Sequence, residues 1–219
     1  MATDAFTRTS YGRTARFYDF LDTLNYGNVS RRSRNCFLSE LPFVPRNPLI
    51  VACGTGDFAA AFVTSQRPFR LTINDLSATM LEVAAAKIRN RGWNGELTIL
   101  LGDITSTDRH AAYDFIALNY ILAIFPPKAR IEFLKNVLRL LTPGGIVQVA
   151  DFSRPANPLM LPHFYVNWTL AVLCFWAFSG TRPNVLGNMD AHLAEAGLRV
   201  IRKQTFVGGL YAGWLLRSG

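Results

Sequence analysis

Short aliphatic runs alternate along this chain with longer segments in which apolar residues return every three or four positions. Leu71–Asn74, Leu97–Leu101, Phe115–Tyr120 and Ile146–Asp151 read as buried strands, and Asp57–Ser65, Ala78–Arg91 and Lys128–Leu141 as helices. The run Leu49-Ile-Val-Ala-Cys stops at Gly54-Thr55-Gly56 and continues into the first of those helices, so it joins a strand, a tight turn and a helix N-terminus in one line. Buried strands alternating with helices of ten or more residues predict a parallel, doubly wound α/β sheet with right-handed crossovers. The chain closes differently. Asn188–Ala196 reads as a helix stopped at Gly197, followed by strands Val200–Phe206 and Leu210–Leu216 around the hairpin signal Gly208-Gly209, so the parallel sheet is expected to finish in an antiparallel hairpin.

Two segments depart from this alternation. Between Tyr11 and Leu41, Phe17, Leu21, Leu24, Cys36, Phe37 and Leu41 recur at helical spacing around the turn Asn25-Tyr26-Gly27-Asn28, which predicts two short cap helices. Pro42, Pro45 and Pro48 then form a stiff linker, giving an N-terminal cap over 1–46 and the main domain over 47–219. Within that domain 155–183 is rich in Leu, Phe and Trp and almost free of charge. It reads either as a buried helix or as a lid whose exposed apolar face, with Trp168 and Trp176, meets a greasy substrate or a bilayer.

Composition narrows the partners. A length of 219 residues with 50% hydrophobic content suits one core, and the net charge of +8 points to anionic partners. The basic residues are dispersed apart from Arg31, Arg32 and Arg34 and a terminal group at Arg199, Arg202, Lys203 and Arg217. That distribution argues for a phosphate-bearing surface rather than nucleic acid. Cys36, Cys53 and Cys174 have neither a zinc nor a disulfide spacing, and no apolar run reaches spanning length. The expected place is the cytoplasm, at the inner face of the membrane if the apolar segment makes contact.

The chemistry gathers at strand ends. Glycines at 54 and 56 let a ligand approach the backbone, and the helix that follows offers N–H groups to a polar or anionic group. Gly54-x-Gly56-x-x-Ala59 also fits a dinucleotide fingerprint, so an NAD-type oxidoreductase is one reading. Asp75, 19 residues after Gly56, ends the second strand, where a carboxylate can take both hydroxyls of a ribose; Asp75 or Ser77 can equally cap the next helix. Asp103 ends the third strand and can accept from an exocyclic amine or serve as a turn aspartate. All three strand ends point to one crevice.

These residues, with Val-Ala-Cys-Gly-Thr-Gly-Asp (51 to 57), Asn-Asp-Leu-Ser-Ala-Thr-Met-Leu (74 to 81), Gly-Asp-Ile (102 to 104), Tyr-Asp-Phe-Ile-Ala-Leu-Asn-Tyr (113 to 120) and Leu-Leu-Thr-Pro-Gly-Gly (140 to 145), resemble the class I S-adenosylmethionine-dependent methyltransferases, in particular the ubiquinone/menaquinone C-methyltransferase family. Phe-Tyr-Asp-Phe (17 to 20) and Asn-Tyr-Gly…Arg-Arg-Ser-Arg (25 to 34) resemble that family's cap, so the likeness covers nearly the whole chain. It implies a Rossmann-like, doubly wound seven-stranded sheet with a C-terminal antiparallel hairpin and an N-terminal helical cap. It further implies S-adenosylmethionine as cofactor, held by Ala52, Cys53, Gly54, Thr55, Gly56, Asp75, Leu76, Met80, Asp103, Ile104 and Asn119. Gly54 and Gly56 would face the methionine part, Asp75 the ribose, Met80 an adenine face, and Asp103 with Ile104 its edge.

The resemblance implies methylation of a small lipophilic acceptor, most simply a quinone or lipid precursor. Such transfer needs in-line positioning, a dry site and a base for the acceptor's proton. Tyr18, Asp19, Asn119 and Tyr120 qualify by resemblance and His163 and Tyr165 by location, although a histidine there is also an ordinary surface residue. No histidine–carboxylate spacing suggests a metal. One departure is Ile50, which stands where the family usually has an acid that helps hold the cofactor's amino end. Rhodoquinone-biosynthesis proteins share an apolar residue there and use S-adenosylmethionine as an amino donor to ubiquinone, which makes amino transfer the alternative. A non-catalytic binding protein on this fold is a further one.

Overall fold

The computed structural model describes residues 28–179 and 186–219. Its strands are β1 (Pro48–Val51), β2 (Arg70–Asp75), β3 (Glu96–Leu101), β4 (Tyr113–Asn119), β5 (Leu141–Phe152), β6 (Leu198–Phe206) and β7 (Tyr211–Ser218); its helices are α1 (Val29–Asn35), α2 (Asp57–Gln66), α3 (Ala78–Arg89), α4 (Pro127–Leu138), α5 (Leu161–Ser179) and α6 (Met189–Glu195). Among the described residues these strands form one seven-stranded sheet in the order β3-β2-β1-β4-β5-β7-β6. β1 to β5 pair in parallel and β7 runs antiparallel between β5 and β6.

Helices cover both faces of the central strands, so those strands are apolar on both sides rather than alternating with polar residues. Ile50, Ile73, Phe115, Ala117 and Ile146 face the cluster shared with α2 and α3. Leu49, Val51, Ile116, Leu118, Val147 and Val149 face the cluster shared with α4 and α6, where Trp214 is fully buried and donates its Nε1–H to Asp190 at 2.7 Å. Strand order reverses between β1 and β4, and a crevice opens beyond the carboxyl ends of strands at such a reversal.

The elements keep the expected sequence with shifted bounds. α4 ends at Leu138 rather than Leu141, because Leu141 already pairs with Tyr113, and β5 begins there instead of at Ile146. β6 starts at Leu198, and Gly208-Gly209 lies in a short 3-10 turn (Val207–Gly209) that links it to β7. The second cap helix is α1, shorter than its periodicity suggested; the first, with Tyr18 and Asp19, lies outside the described residues. α1 lies close on the sheet, with Gln148 Nε2 donating to Arg34 O at 2.6 Å. At Gly213 of β7 an added Cβ would stand 2.5 Å from Cys36 Sγ and 3.0 Å from Ser33 O, so a glycine lets α1 settle there.

The apolar segment forms α5, entered through a 3-10 turn (Pro158–Met160) whose first amide is capped by Asn157. Phe164 is buried, and Trp168 packs edge-on against Phe152 at 5.2 Å. Tyr165, Val166, Leu170 and Leu173 are 49–59% exposed, so the described part of this helix buries one side and presents an apolar side to solvent. No helix of the described residues is long and apolar enough to cross a membrane.

Candidate functional site

The loop after β1 turns by left-handed residues: Ala52 has φ +49°, Gly54 +54° and Gly56 +81°. The two glycines differ in what they face. A Cβ on Gly54 would meet nothing within 4 Å, whereas on Gly56 it would lie 2.6 Å from both Cα and Cβ of Ala84 in α3. Gly56 therefore lets α2 and α3 approach, and Gly54 borders open space in the crevice. Gly56 is also the N-cap of α2, whose first turn has no side-chain cap. Thr55 is buried, and Cys53 N donates to Asn74 O at 2.9 Å. Burial and then the Asp75 charge push the Cys53 thiol up, and Cys36 is pushed up to about 12 mainly by burial. Both thiols stay protonated and are poor nucleophiles.

Asp75 closes the loop from β2. Its Oδ2 accepts Gly54 N–H at 2.9 Å and its Oδ1 accepts Ser77 N–H at 3.0 Å. Ser77 in turn caps α3 by accepting Met80 N–H at 3.3 Å, so helix capping falls to Ser77 and loop closure to Asp75. Burial pushes the Asp75 carboxyl above its ordinary value, and those amides pull it back. A carboxylate offers about four acceptor directions; the amides of Gly54, Ser77 and Leu76 draw on it, and acceptor capacity remains for a ligand hydroxyl. Asn74, not singled out by the motifs, is buried and donates Nδ2–H to Leu100 O at 3.0 Å and Gly102 O at 2.8 Å, which locks the end of β3 beside Asp75. Its signal was a polar residue inside an apolar strand.

Asp103 is exposed at that end, and its Oδ1 accepts from both Thr105 N at 2.9 Å and Thr105 Oγ1 at 2.8 Å. Ile104 is buried in the α4-side core cluster, Met80 is buried on α3, and Leu76 is 75% exposed. His163 lies exposed in the first turn of α5.

β4 ends at the reversal with Asn119, whose Nδ2 and Oδ1 are both buried and lack a hydrogen-bond partner. Unpaired buried amide atoms at a crevice call for a ligand that supplies both an acceptor and a donor. Tyr120 follows in the left-handed region at φ +55°, its N–H donating to Ala150 O at 2.7 Å. Its hydroxyl lies 2.6 Å from Ser33 Oγ of α1. Since Ser33 gives its single proton to Ser30 O at 2.9 Å, the Tyr120 hydroxyl is the donor in that pair. Tyr120 thus ties α1 to the crevice edge, and it stacks edge-on with Phe152 and Tyr211 in an aromatic wall that continues to Trp168. Of the basic group, Arg31 and Arg34 line, with Arg91, Asn35 and Asp57, a cavity of about 170 Å³ between α1 and α2.

Two buried charged residues escaped the motif reading. Asp151, at the end of β5, accepts N–H groups from Leu122 at 2.9 Å, Ala123 at 3.1 Å and Phe152 at 2.8 Å. Burial pushes its carboxyl up to about 6 against those amides and Arg130. Arg130 of α4 is fully buried and donates to Leu122 O at 2.8 Å, Phe125 O at 2.9 Å and Leu186 O, and it contacts His192 Nδ1 at 2.9 Å. Desolvation and the guanidinium both lower the His192 pKa. The helical spacing of α4 disguises Arg130 as a surface residue.

The switch point, the antiparallel β7 and the polar strand ends define the fold class of S-adenosylmethionine-dependent methyltransferases. Solved structures share it at low identity: the mitomycin 7-O-methyltransferase MmcR superposes with a TM-score of 0.68 at 19% identity, over 96% of this chain and 61% of that one. The [4+2]-cyclase SpnF does so with a TM-score of 0.64 at 16% identity, over 87% and 80%. The family model of the ubiE/COQ5 methyltransferase family matches residues 18–178, and the chain belongs to that family. The ubiquinone/menaquinone biosynthesis C-methyltransferase UbiE of Syntrophotalea carbinolica is 31% identical over 94% of this chain and 93% of its own length. That of Pseudomonas entomophila is 30% identical over 65% of this chain, a match spanning just over half, 56%, of the longer relative.

The residues present fit S-adenosylmethionine: Asp75 retains acceptor capacity, the space over Gly54 admits a ligand, and Asn119 has an unpaired amide. Among the described residues no group of three His, Cys, Asp or Glu side chains is placed to hold a metal ion. Position 50 does not contribute a polar group, since Ile50 is 1% exposed within the α2–α3 cluster.

Proposed function

We propose that this chain transfers the methyl group of S-adenosylmethionine to a ring carbon of a lipophilic quinone precursor in its reduced, hydroquinone form. The observation that carries the reading is the doubly unpaired amide of Asn119 at the carboxyl end of β4, the strand beside β1 with its Gly54 loop, which Asp75 closes from β2. Family membership supplies the reaction class, and the names of the relatives supply the quinone.

When bound, the cofactor supplies an electrophilic methyl group on a sulfonium. The Asp75 carboxylate holds the ribose hydroxyls, and Asn119 engages polar groups beside the reacting centre. A quinone carbon is electrophilic, so a nucleophilic acceptor carbon requires the hydroquinone or its phenolate. The apolar, largely buried wall of Tyr120, Phe152, Tyr211 and Trp168 supports an aromatic acceptor in a dry setting. The proton released from the ring carbon needs a nearby base or solvent. The Tyr120 hydroxyl donates to Ser33 and serves here as an anchor of α1. Tyr165, Val166, Leu170 and Leu173 on α5 support contact with an isoprenoid tail or with the lipid surface that holds it.

The test is incubation with methyl-labelled S-adenosylmethionine and a chemically reduced, short-tailed demethylmenaquinone, reading label in the quinone together with S-adenosylhomocysteine. Equal label and nucleoside product is the expected result, absent in Asp75→Ala. Cofactor consumed without label would overturn methyl transfer and favour amino transfer, the reading that Ile50 motivates.

A further inference from the structure

The turn that follows Asn119 and Tyr120 is gripped from both sides by opposite buried charges. It forms a 3-10 turn (Leu122–Ile124) whose leading amides, Leu122 and Ala123, point at one oxygen of Asp151 at 2.9 and 3.1 Å. Its carbonyls at Leu122 and Phe125 point the other way and accept from Arg130 at 2.8 and 2.9 Å. Opposite charges buried this deeply are seldom retained for stability alone, because desolvation consumes most of their attraction. Apolar residues of similar size would fill the same space. What apolar residues cannot supply is directional bonding to both the N–H and the C=O groups of one irregular turn.

The clamp is short of the reacting edge by one residue. Ile121 alone separates Tyr120, in its left-handed conformation, from Leu122. A rotation of the turn would therefore be carried directly into Tyr120 and the Asn119 amide. Arg130 reaches further, to Leu186 O and His192 Nδ1, so Leu186 just before α6 and His192 within it are fastened to the same guanidinium.

We propose that Asp151 and Arg130 are positioning residues for the transfer, holding the turn after β4 so that Asn119 and Tyr120 stand correctly at the acceptor side of the crevice. The inference rests on the methyl-transfer reading. The charged and titratable groups around Asp151 are Arg130 from α4 and, through it, His192 and Glu195 of α6.

The variant is Asp151→Asn, which keeps the shape but turns one acceptor oxygen into a donor facing backbone N–H groups. In isotope-labelled protein the backbone amides of Leu122 and Ala123 and the side-chain amide of Asn119 are expected to shift together, while resonances of β2 and β3 stay in place. Affinity for S-adenosylhomocysteine by calorimetry should fall by a smaller factor than kcat does, since Asp75 and the Gly54 loop stay in place. The rate constant kcat toward reduced demethylmenaquinone should fall roughly 10- to 100-fold with KM little changed, the penalty expected for slight misplacement of a reacting centre. In the wild type, kcat and the Leu122 and Ala123 shifts should titrate with one shared acid midpoint, which the variant lacks. A purely structural role would lower the melting temperature while leaving the Asn119 resonances and the ratio of kcat to KM in place. Unmoved Asn119 resonances in the variant, or an unchanged kcat despite shifted Leu122 and Ala123, overturn the proposal. Wild-type protein that binds S-adenosylhomocysteine but methylates nothing counts against the acceptor reading, and the Asn119 resonances then decide this one alone.

Discussion

Two glycines separated by one residue should fail in different ways when each becomes alanine. At Gly56 the added Cβ would stand 2.6 Å from the Cα and Cβ of Ala84, well inside the ~3.5–4.0 Å of ordinary carbon contacts. Its neighbour is helix backbone, which cannot swing aside, so α2 and α3 must separate at ~1–3 kcal/mol for overpacking. The φ of +81° adds a left-handed alanine, itself ~1–2 kcal/mol. The sum, ~2–5 kcal/mol, is a large part of the ~5–15 kcal/mol that holds a domain of this kind together. Gly54→Ala incurs only the conformational part, ~1–2 kcal/mol, because no heavy atom lies within 4 Å of its Cβ. That methyl group instead enters the crevice where a ligand would approach. Urea unfolding should therefore rank Gly56→Ala as the less stable variant, and calorimetry with S-adenosylhomocysteine should show at least tenfold weaker binding for Gly54→Ala. The reasoning is refuted if Gly56→Ala unfolds within ~1 kcal/mol of wild type, or if Gly54→Ala binds the nucleoside as well as wild type does.

Ile50→Asp, which restores an acid at the departed position, should lower stability by ~3 kcal/mol or more, since an unpaired carboxyl would enter an apolar cluster; a melting temperature equal to wild type would show that the side chain can reach the crevice. The pH dependence of stability carries a signature of Asp151. Its folded pKa of about 6 lies above the ordinary ~3.9, so the folded state binds the proton more tightly; stability is highest below that ordinary value and is lost as pH rises through 6, by ~3 kcal/mol. Urea midpoints between pH 4 and 7 should fall more steeply with pH in wild type than in Asp151→Asn, which keeps only the weaker contribution of Asp75. On α5, the pair Val166→Asp and Leu170→Asp should leave the melting temperature within a few degrees, because both positions are more than half exposed. It should raise KM for a long-tailed quinol about tenfold while sparing a short-tailed one, as loss of a few buried methylenes implies; equal effects on both would remove α5 from tail recognition.

Much of this architecture is legible in the sequence, because the information is local. Period two against period 3.6, glycines at a strand end and an aspartate at the next one depend on residues within a turn or so of one another. The same local reading located the loop of Gly54 and Gly56, Asp75 and the apolar segment that became α5. It stopped short of dividing labour between neighbours. Ser77 caps α3 while Asp75 closes the loop, and Gly56 serves helix packing while Gly54 borders the crevice. Neither assignment has a sequence signal, since both members of each pair fit the same pattern.

What the chain determines by itself is the order of elements and the residue types delivered to the carboxyl edge of the sheet. Covalent connectivity and hydrophobic period set both. Tertiary structure alone decided which groups are left for a ligand and which are already spent. Tyr120 meets Ser33 across 87 residues, Asp151 reaches back 29 residues to Leu122, and Arg130 spans 62 residues to His192. Those contacts commit a phenol, a carboxylate and a guanidinium to the scaffold, and they leave the Asn119 amide unpaired. A hydrogen bond forms only where two groups come within ~3 Å in the right direction, and folding, not spacing along the chain, brings such distant residues together.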